Sequence, residues 1–457
     1  MKILLIIHGF PPRQSAGSEI YTWMLANQLS HKDDVTVLAR TADSRLEEYA
    51  VSTERVEKFN VISINNTLKY RKCFSDKYVN HHIGAFFSKL LTEQKPDIVH
   101  IGHLIGLSTT IIDEIKKHNI PIVYTLHDFW LICPTGRFIK VPATVCHSPS
   151  VSECKKCLAP QLLVNRGSNR LIRHAKKVTG KFKIAQNAYS HLEKLYKYYS
   201  AFRIRHPKPQ LDGEIIKRRE RMQRIFELVD CFIAPSKFLL KKYTSLGLPA
   251  NKVIHLDYGF NTEPFKEINR KKSEKLRLGY IGTLIPPKGV HVLLGAFSKI
   301  TSPLVELRIH GAFDEQNDEY RGYSNRLRTL FSQKNVTWYG AYENQMINQI
   351  LSEIDLLIVP SIWYENSPLV IHEAFMAHVP VITSNAGGMA ELVQHGVNGF
   401  LFEMGNENDL KRHIQRIIDQ PDLMEAFRSR LPKVTDIRDH ATDIRKIYYN
   451  INMIKSN

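Results

Sequence analysis

Glu365 and Glu373 are separated by seven residues in the stretch Pro360-Ser361-Ile362-Trp363-Tyr364-Glu365-Asn366-Ser367-Pro368-Leu369-Val370-Ile371-His372-Glu373. The apolar run Leu356–Val359 before them reads as a buried strand. Pro368 suits the first position of a helix, with Ser367 as its N-cap. Glu365 is then expected in the loop, and Glu373 about one and a half turns into the helix. Free backbone N–H groups at such a start suit phosphate or sugar oxygens. A carboxylate accepts two hydroxyl hydrogen bonds at once. The chemistry expected is the grip of a phosphorylated, hydroxyl-rich ligand. A plainer role also fits an isolated pair: one acid complements the helix dipole and the other is solvated.

Other segments carry compatible groups. Gly279-Tyr280-Ile281-Gly282-Thr283-Leu284-Ile285-Pro286-Pro287-Lys288-Gly289 reads as a strand, a tight turn and a helix start, with Lys288 at the turn. His8-Gly9-Phe10-Pro11-Pro12 and Ala16-Gly17-Ser18-Glu19 follow the first apolar run. They are not a Gly-x-Gly-x-x-Gly dinucleotide fingerprint, but the Gly17–Ser18 turn can present amides to a diphosphate. His127 ends another apolar run, where a histidine faces a cleft, and His100 and His103 are candidates for the acceptor side, a core role being the more usual one. Four of the six cysteines, Cys133, Cys146, Cys154 and Cys157, fall within 25 residues. That spacing suits a tetrahedral thiolate site, with zinc expected first and an iron–sulfur cluster second, and a structural role in either case.

These residues need elements to position them. Apolar runs alternate with amphipathic helical stretches, the rhythm of βαβ units. Ile3–Ile7, Val35–Leu38, Ile98–Ile101, Ile122–Leu126, Phe232–Ala234 and Val253–Leu256 are expected strands of a first domain, residues 1–258. Leu276–Ile281, Val305–Ile309, Val336–Tyr339, Leu356–Val359 and Val379–Thr383 are expected strands of a second, residues 273–440. Tyr258–Lys272 reads as the linker, and residues 441–457 as a helix able to pack on either domain. The fold class is α/β: two facing Rossmann-like, doubly wound parallel sheets with the ligand cleft at their carboxyl ends. The chain of 457 residues is 43% hydrophobic and 24% charged, and long enough for two cores. Its apolar amino terminus is too short for a signal-peptide core, and no stretch is long enough for a membrane span. The expected location is cytoplasmic, with peripheral membrane contact. The net charge is +18, and residues 161–224 alone hold seventeen Lys/Arg against four Asp/Glu. Arg166, Arg170, Arg173, Lys176, Lys177, Lys217, Arg218, Arg219 and Arg221 are expected to face an anionic partner such as lipid headgroups. A nucleic-acid-binding protein is the non-enzyme alternative, but the basic segment lacks a binding motif. No nucleic acid partner is expected.

The Glu-x7-Glu stretch, followed by Ala386-Gly387-Gly388-Met389-Ala390-Glu391-Leu392 and Gly396-Val397-Asn398-Gly399-Phe400, resembles the family 4 retaining glycosyltransferases of the GT-B fold. Cysteine clusters occur in some of its members. The resemblance implies transfer of a sugar from a nucleoside diphosphate donor, UDP- or GDP-linked, to a hydroxyl of a glycan or lipid-linked acceptor. It implies no cofactor for catalysis. By position, Lys288 and the turns at Gly17–Ser18 and Gly282–Thr283 would hold the diphosphate. Glu373 would bind the ribose, while Glu365, Asn366, Ser367 and His127 would lie about the donor sugar. Base contacts would come from backbone near Ala341 and Tyr342. Thr283 departs from the pattern, which has an arginine there; a hydroxyl bonds a phosphate oxygen but cannot neutralise it. Other enzymes of this fold are a minor alternative: a sugar-nucleotide epimerase lacks the two-glutamate pattern, and a phosphorylase would need a pyridoxal lysine.

Overall fold

The computed structural model describes residues 1–140, 144–163, 210–314 and 320–456. Arg166, Arg170, Arg173, Lys176 and Lys177 lie outside them.

The first sheet contains β1 (Lys2–Ile7), β2 (Asp34–Thr41), β3 (Val51–Val56), β4 (Phe59–Asn65), β5 (Ile98–Ile101), β6 (Ile122–Thr125), β9 (Cys231–Ala234) and β10 (Val253–His255), while β7 (Ile139–Lys140) and β8 (Thr144–Val145) pair in a separate ribbon. Its order is β10-β9-β6-β5-β1-β2-β4-β3. Five of the six residues of β1 are buried, as suits a central parallel strand covered on both faces. The second sheet holds β11 (Leu276–Ile281), β12 (Val305–His310), β13 (Val336–Gly340), β14 (Leu356–Val359), β15 (Val381–Ser384) and β16 (Gly399–Phe402), in the order β13-β12-β11-β14-β15-β16. Every pairing in it is parallel.

In each sheet the strand order reverses beside the strand that begins the domain. The reversal lies between β1 and β5 in the first and between β11 and β14 in the second. At such a point adjacent loops diverge to opposite faces and leave a crevice beyond the strand ends. The loops after β1, β5, β11 and β14 hold His8, His103, Lys288 and Glu365.

Three elements differ from the sequence expectation. β3 and β4 form an antiparallel hairpin, and β16 adds an edge to the second sheet. Ile437 starts the last helix, Ile437–Ser456, four residues before the expected position. This helix lies against the helix Gly17–Leu29 of the first domain. Tyr21 Oη bonds His440 Nε2 at 2.8 Å, Tyr448 Oη bonds His100 Nδ1 at 2.6 Å, and Arg445 pairs with Asp33 at 3.2 Å. One apolar cluster accordingly runs from Ile3 and Leu25 of the first domain through Ile350 and Ile371 of the second to Tyr448.

Two expectations are corrected, the first of them for Arg218 and Arg221 only. Within the basic segment, the guanidinium groups of Arg218, Arg219 and Arg221 hold the helix Gln210–Leu228 to its own domain. Arg218 is 4% exposed, lies over the rings of Tyr78 and Trp130, and bonds the Trp130 carbonyl. Arg219 bonds the Pro149 carbonyl at 2.8 Å, and Arg221 grips Asp113 and Thr109. Arg218 and Arg221 are thereby engaged within the protein, while Arg219 and Lys217 are exposed. No helix among the described residues is long and apolar enough to cross a membrane.

The cysteines are the second correction. Cys133, Cys146, Cys154 and Cys157 border one small cavity, and none of the four is in a disulfide. Among the described residues, however, no three His, Cys, Asp or Glu side chains are set out as ligands of one ion, so neither zinc nor an iron–sulfur cluster fits. Burial and the neighbouring sulfurs push the Cys154 thiol up to about 12, and burial raises Cys146 too. Cys133 instead bonds the Thr135 hydroxyl at 3.2 Å.

Candidate active site

The site of the second domain is assembled where the loops after β11, β14 and β15 converge. Gly289 adopts a left-handed backbone (φ 70°), and a Cβ there would lie 1.9 Å from the Pro360 carbonyl oxygen. Only a glycine lets the turn Pro286–Lys288 close on the loop after β14, where Ile362 N donates to Pro287 O at 2.8 Å. That contact carries Lys288 to Glu365. Lys288 Nζ donates to Glu365 Oε1 at 2.7 Å. The same oxygen accepts from Trp363 Nε1 at 2.7 Å and Ser361 Oγ at 2.9 Å. With three donors on one oxygen, the buried Glu365 carboxylate is compensated and fixed.

The Gly387–Gly388 turn after β15 backs this loop. A Cβ on Gly388 would fall 1.3 Å from the Asn366 carbonyl oxygen, and Gly388 N donates to Glu365 O at 2.8 Å. The motif is therefore the floor beneath Glu365. Glu373 is half-buried in the helix Leu369–Met376, and desolvation pushes its carboxyl up to about 7. The charge of Glu373 contributes to raising the Tyr342 phenol, so the two side chains are neighbours. Thr283 is exposed at the turn after β11. Gly282 there is met by Gly311, whose Cβ position lies 1.9 Å from the Gly282 carbonyl oxygen.

Pro368, not Ser367, is the N-cap of the helix, and its backbone is extended. The Ser367 hydroxyl is engaged elsewhere, donating to Asp257 Oδ1 at 2.7 Å and meeting His372 Nε2 at 2.8 Å. Asn366 donates its amide to the His127 carbonyl, while its Oδ1 is buried without a partner. Both side chains thus tie the two domains at the floor of the cleft.

From the first domain, Gly17 begins the helix Gly17–Leu29, and its Cβ position lies 3.4 Å from Leu369 Cδ1. Two helix starts thus approach one another across the cleft, each with unpaired N–H groups. Ser18 Oγ donates to Glu19 Oε2 at 2.8 Å. His127, just beyond β6, has Nδ1 2.7 Å from Tyr258 Oη, and its Nε2 is buried without a partner. Burial and the nearby His103 and His100 hold its pKa well below the ordinary value, so the ring is neutral at pH 7. If Tyr258 donates to Nδ1, the proton lies on Nε2. The structure thus brings His127, Asn366, Glu365 and Lys288 to one cleft. His100 does not join them: it is buried between Tyr448 and Thr125 Oγ1 at 2.7 Å. His103 is buried on the first-domain side, with Nε2 3.2 Å from Asp128 Oδ2 and Nδ1 accepting from Ile105 N at 2.9 Å.

Several contributors had no sequence signal. Asp257 and Tyr258 act on Ser367 and His127 from residues far away in the chain. Trp363 lies inside the quoted stretch, but its indole bond to Glu365 depends on how the loop folds.

Two family models match the chain. One, described as Glycosyltransferase Family 4, matches residues 15–153; the other, Glycosyl transferases group 1, matches residues 261–434. An uncharacterized 41.2 kDa protein of the cps region of Klebsiella pneumoniae is 28% identical over 39% of this chain and 49% of its own length. The capsular polysaccharide biosynthesis glycosyltransferase CapM of Staphylococcus aureus is 28% identical over 43% of this chain and 54% of its own. The chain thus spans about half the length of these curated relatives. The crystal structure of HepE from Anabaena in complex with UDP and glucose superposes with a TM-score of 0.63 at 18% identity, covering 98% of this chain and 100% of that one. At that identity the likeness speaks for the fold, which is GT-B. One model lies within each Rossmann-like domain, and the two sheets face a cleft of this geometry: the chain belongs to the family 4 glycosyltransferases of the GT-B fold.

Proposed function

We propose that the cleft transfers a sugar, with retention of anomeric configuration, from a nucleoside diphosphate sugar to a hydroxyl of a glycan or lipid-linked acceptor. The observation that carries this reading is the Lys288–Glu365 pair, anchored by Ser361 and Trp363 in front of two facing helix starts. The diphosphate would lie against Lys288 and the N–H groups at Gly17 and Leu369. These donors stabilise the negative charge that grows on it as it leaves. They also supply what Thr283 lacks, because helix N–H groups carry partial positive charge.

Glu365 would accept hydroxyl hydrogen bonds from the donor sugar through the oxygen that Lys288 does not hold. His127 would donate from Nε2 to a sugar oxygen, with Tyr258 fixing the ring. Glu373 would take the ribose hydroxyls beside Tyr342. No side chain among the described residues is assigned as a covalent nucleophile, and the proposed course is attack from the leaving-group face, the departing phosphate accepting the acceptor's proton. UDP is the first donor to try, since HepE was crystallised with it. The relatives from capsule-gene regions favour a cell-surface glycan as product.

A thermal-shift screen with UDP-, GDP- and ADP-sugars identifies the donor, because a bound ligand raises the melting temperature by mass action. Glu365→Ala is expected to lower transfer or donor hydrolysis at least ~100-fold while the fold persists. Full activity of that variant refutes the assignment.

A further inference from the structure

The first-domain side of the cleft holds a second constellation that the donor does not use. It lies at the carboxyl ends of four adjacent strands, β6, β5, β1 and β2. His8 follows β1, and its Nε2 lies 3.2 Å from Glu19 Oε1. The His8 and His103 rings are 4.5 Å apart, and His103 is held by Asp128 at 3.2 Å. His8 Nδ1 is buried and has no hydrogen-bond partner.

Arg40, near the end of β2, completes the group. It is half-buried beneath the loop after β5, where a Cβ on Gly106 would come within 2.6 Å of its Cζ. Its Nε donates to the Asn66 carbonyl at 2.8 Å. Its two Nη atoms have no hydrogen-bond or ion-pair partner among the described residues; Glu48, the nearest acid acting on it, is spent on Thr67 and Lys69. Arg40 is close enough to disfavour protonation of His8. A guanidinium anchored through Nε and left open at its Nη edge is the geometry that receives an oxyanion in two parallel hydrogen bonds.

We propose that this cluster is an acceptor subsite for an anionic group. The acceptor carries a phosphate monoester or a carboxylate near its reacting hydroxyl, the oxyanion sits on the Nη edge of Arg40, and the hydroxyl side lies along His8. This rests on the transferase reading above, and adds to it that the acceptor is charged. Glu19 stays bonded to His8, and the buried His103, held by Asp128 and Ile105 N, backs the His8 ring.

The test uses the full chain with saturating UDP at fixed ionic strength, and titrates glucose 6-phosphate, glucuronate and glucose by calorimetry. One of the two anions should bind about ten-fold more tightly than glucose, and which one does so tells phosphate from carboxylate. Arg40→Gln should erase that preference and leave UDP affinity unchanged. Equal binding of all three probes, or an Arg40→Gln protein that keeps the preference, overturns the subsite. If Arg40→Gln does not fold, Arg40→Lys, which keeps the charge but loses the fork, replaces it, and the wild-type ranking still decides. Failure of every nucleotide sugar to bind would instead strike the transferase reading.

Discussion

Glu373 shows at the scale of one residue how a carboxylate taken out of water burdens the folded protein. An ordinary glutamate titrates near 4.3, whereas burial pushes this one up to about 7. Between those values the folded chain holds a proton that the unfolded chain has released. Stability therefore falls as pH rises through this window and levels off above about 7. Glu373→Gln should remove that part of the slope: urea denaturation at pH 5 and pH 8 should show a smaller loss for the variant than for the wild type. Identical losses would mean that the carboxylate is solvated. Donor binding should have the opposite trend, strengthening as Glu373 ionises and can accept ribose hydroxyls. Single residues of this kind were largely legible in the sequence, because Glu365, Glu373 and Lys288 lie in short motifs with fixed spacing. Their partners were not. Asp257 and Tyr258 reach the site only through the fold, and Arg40 is a solitary cation in a strand with nothing in its neighbours to mark it.

At the scale of elements, glycines set the distances between loops. Gly388 touches the chain at Asn366 with no room for a methyl group. Gly388→Ala is expected to displace the Glu365 loop, costing about 1–3 kcal/mol of stability and most of the transfer activity. Chemical denaturation combined with donor-hydrolysis assays checks both; an unchanged pair of values would mean that the turn moves freely. Most parallel strands were legible because each is a short apolar run flanked by turn residues. The β3–β4 hairpin was not, since β3 is polar and mostly exposed and its turn at Glu57 (φ 50°) has no glycine or asparagine to announce it. The cysteine spacing misled for a related reason. Spacing places thiols near one another, but only the loop and helix geometry decides whether three of them share a centre.

At the scale of the molecule, the last helix ties the end of the second domain's chain to the first domain. It follows the second domain in sequence and is packed on the first, and Tyr448 at its centre is fully buried against His100. Tyr448→Ala removes that ring and leaves His100 without one of its two partners. A loss of about 3 kcal/mol is expected, seen as a lower melting temperature for the whole chain. Retention of the wild-type melting temperature would show that the helix docks only loosely. Two sheets facing one cleft could be inferred from strand rhythm alone. Which domain received the terminal helix could not, because its apolar spacing suits either surface.

The pairing of Lys288 with Glu365 also bears on what happens after the sugar has gone. On the proposed reading, the donor's hydroxyls would bond the Glu365 oxygen that Lys288 does not hold, while its phosphates would share the Lys288 ammonium with Glu365. Once the sugar had departed, the carboxylate would have only its neighbours to bond and would compete more strongly with the spent nucleotide for that ammonium. The pair would then act as an ejector, biasing turnover toward release and sparing the enzyme from being clogged by its own by-product.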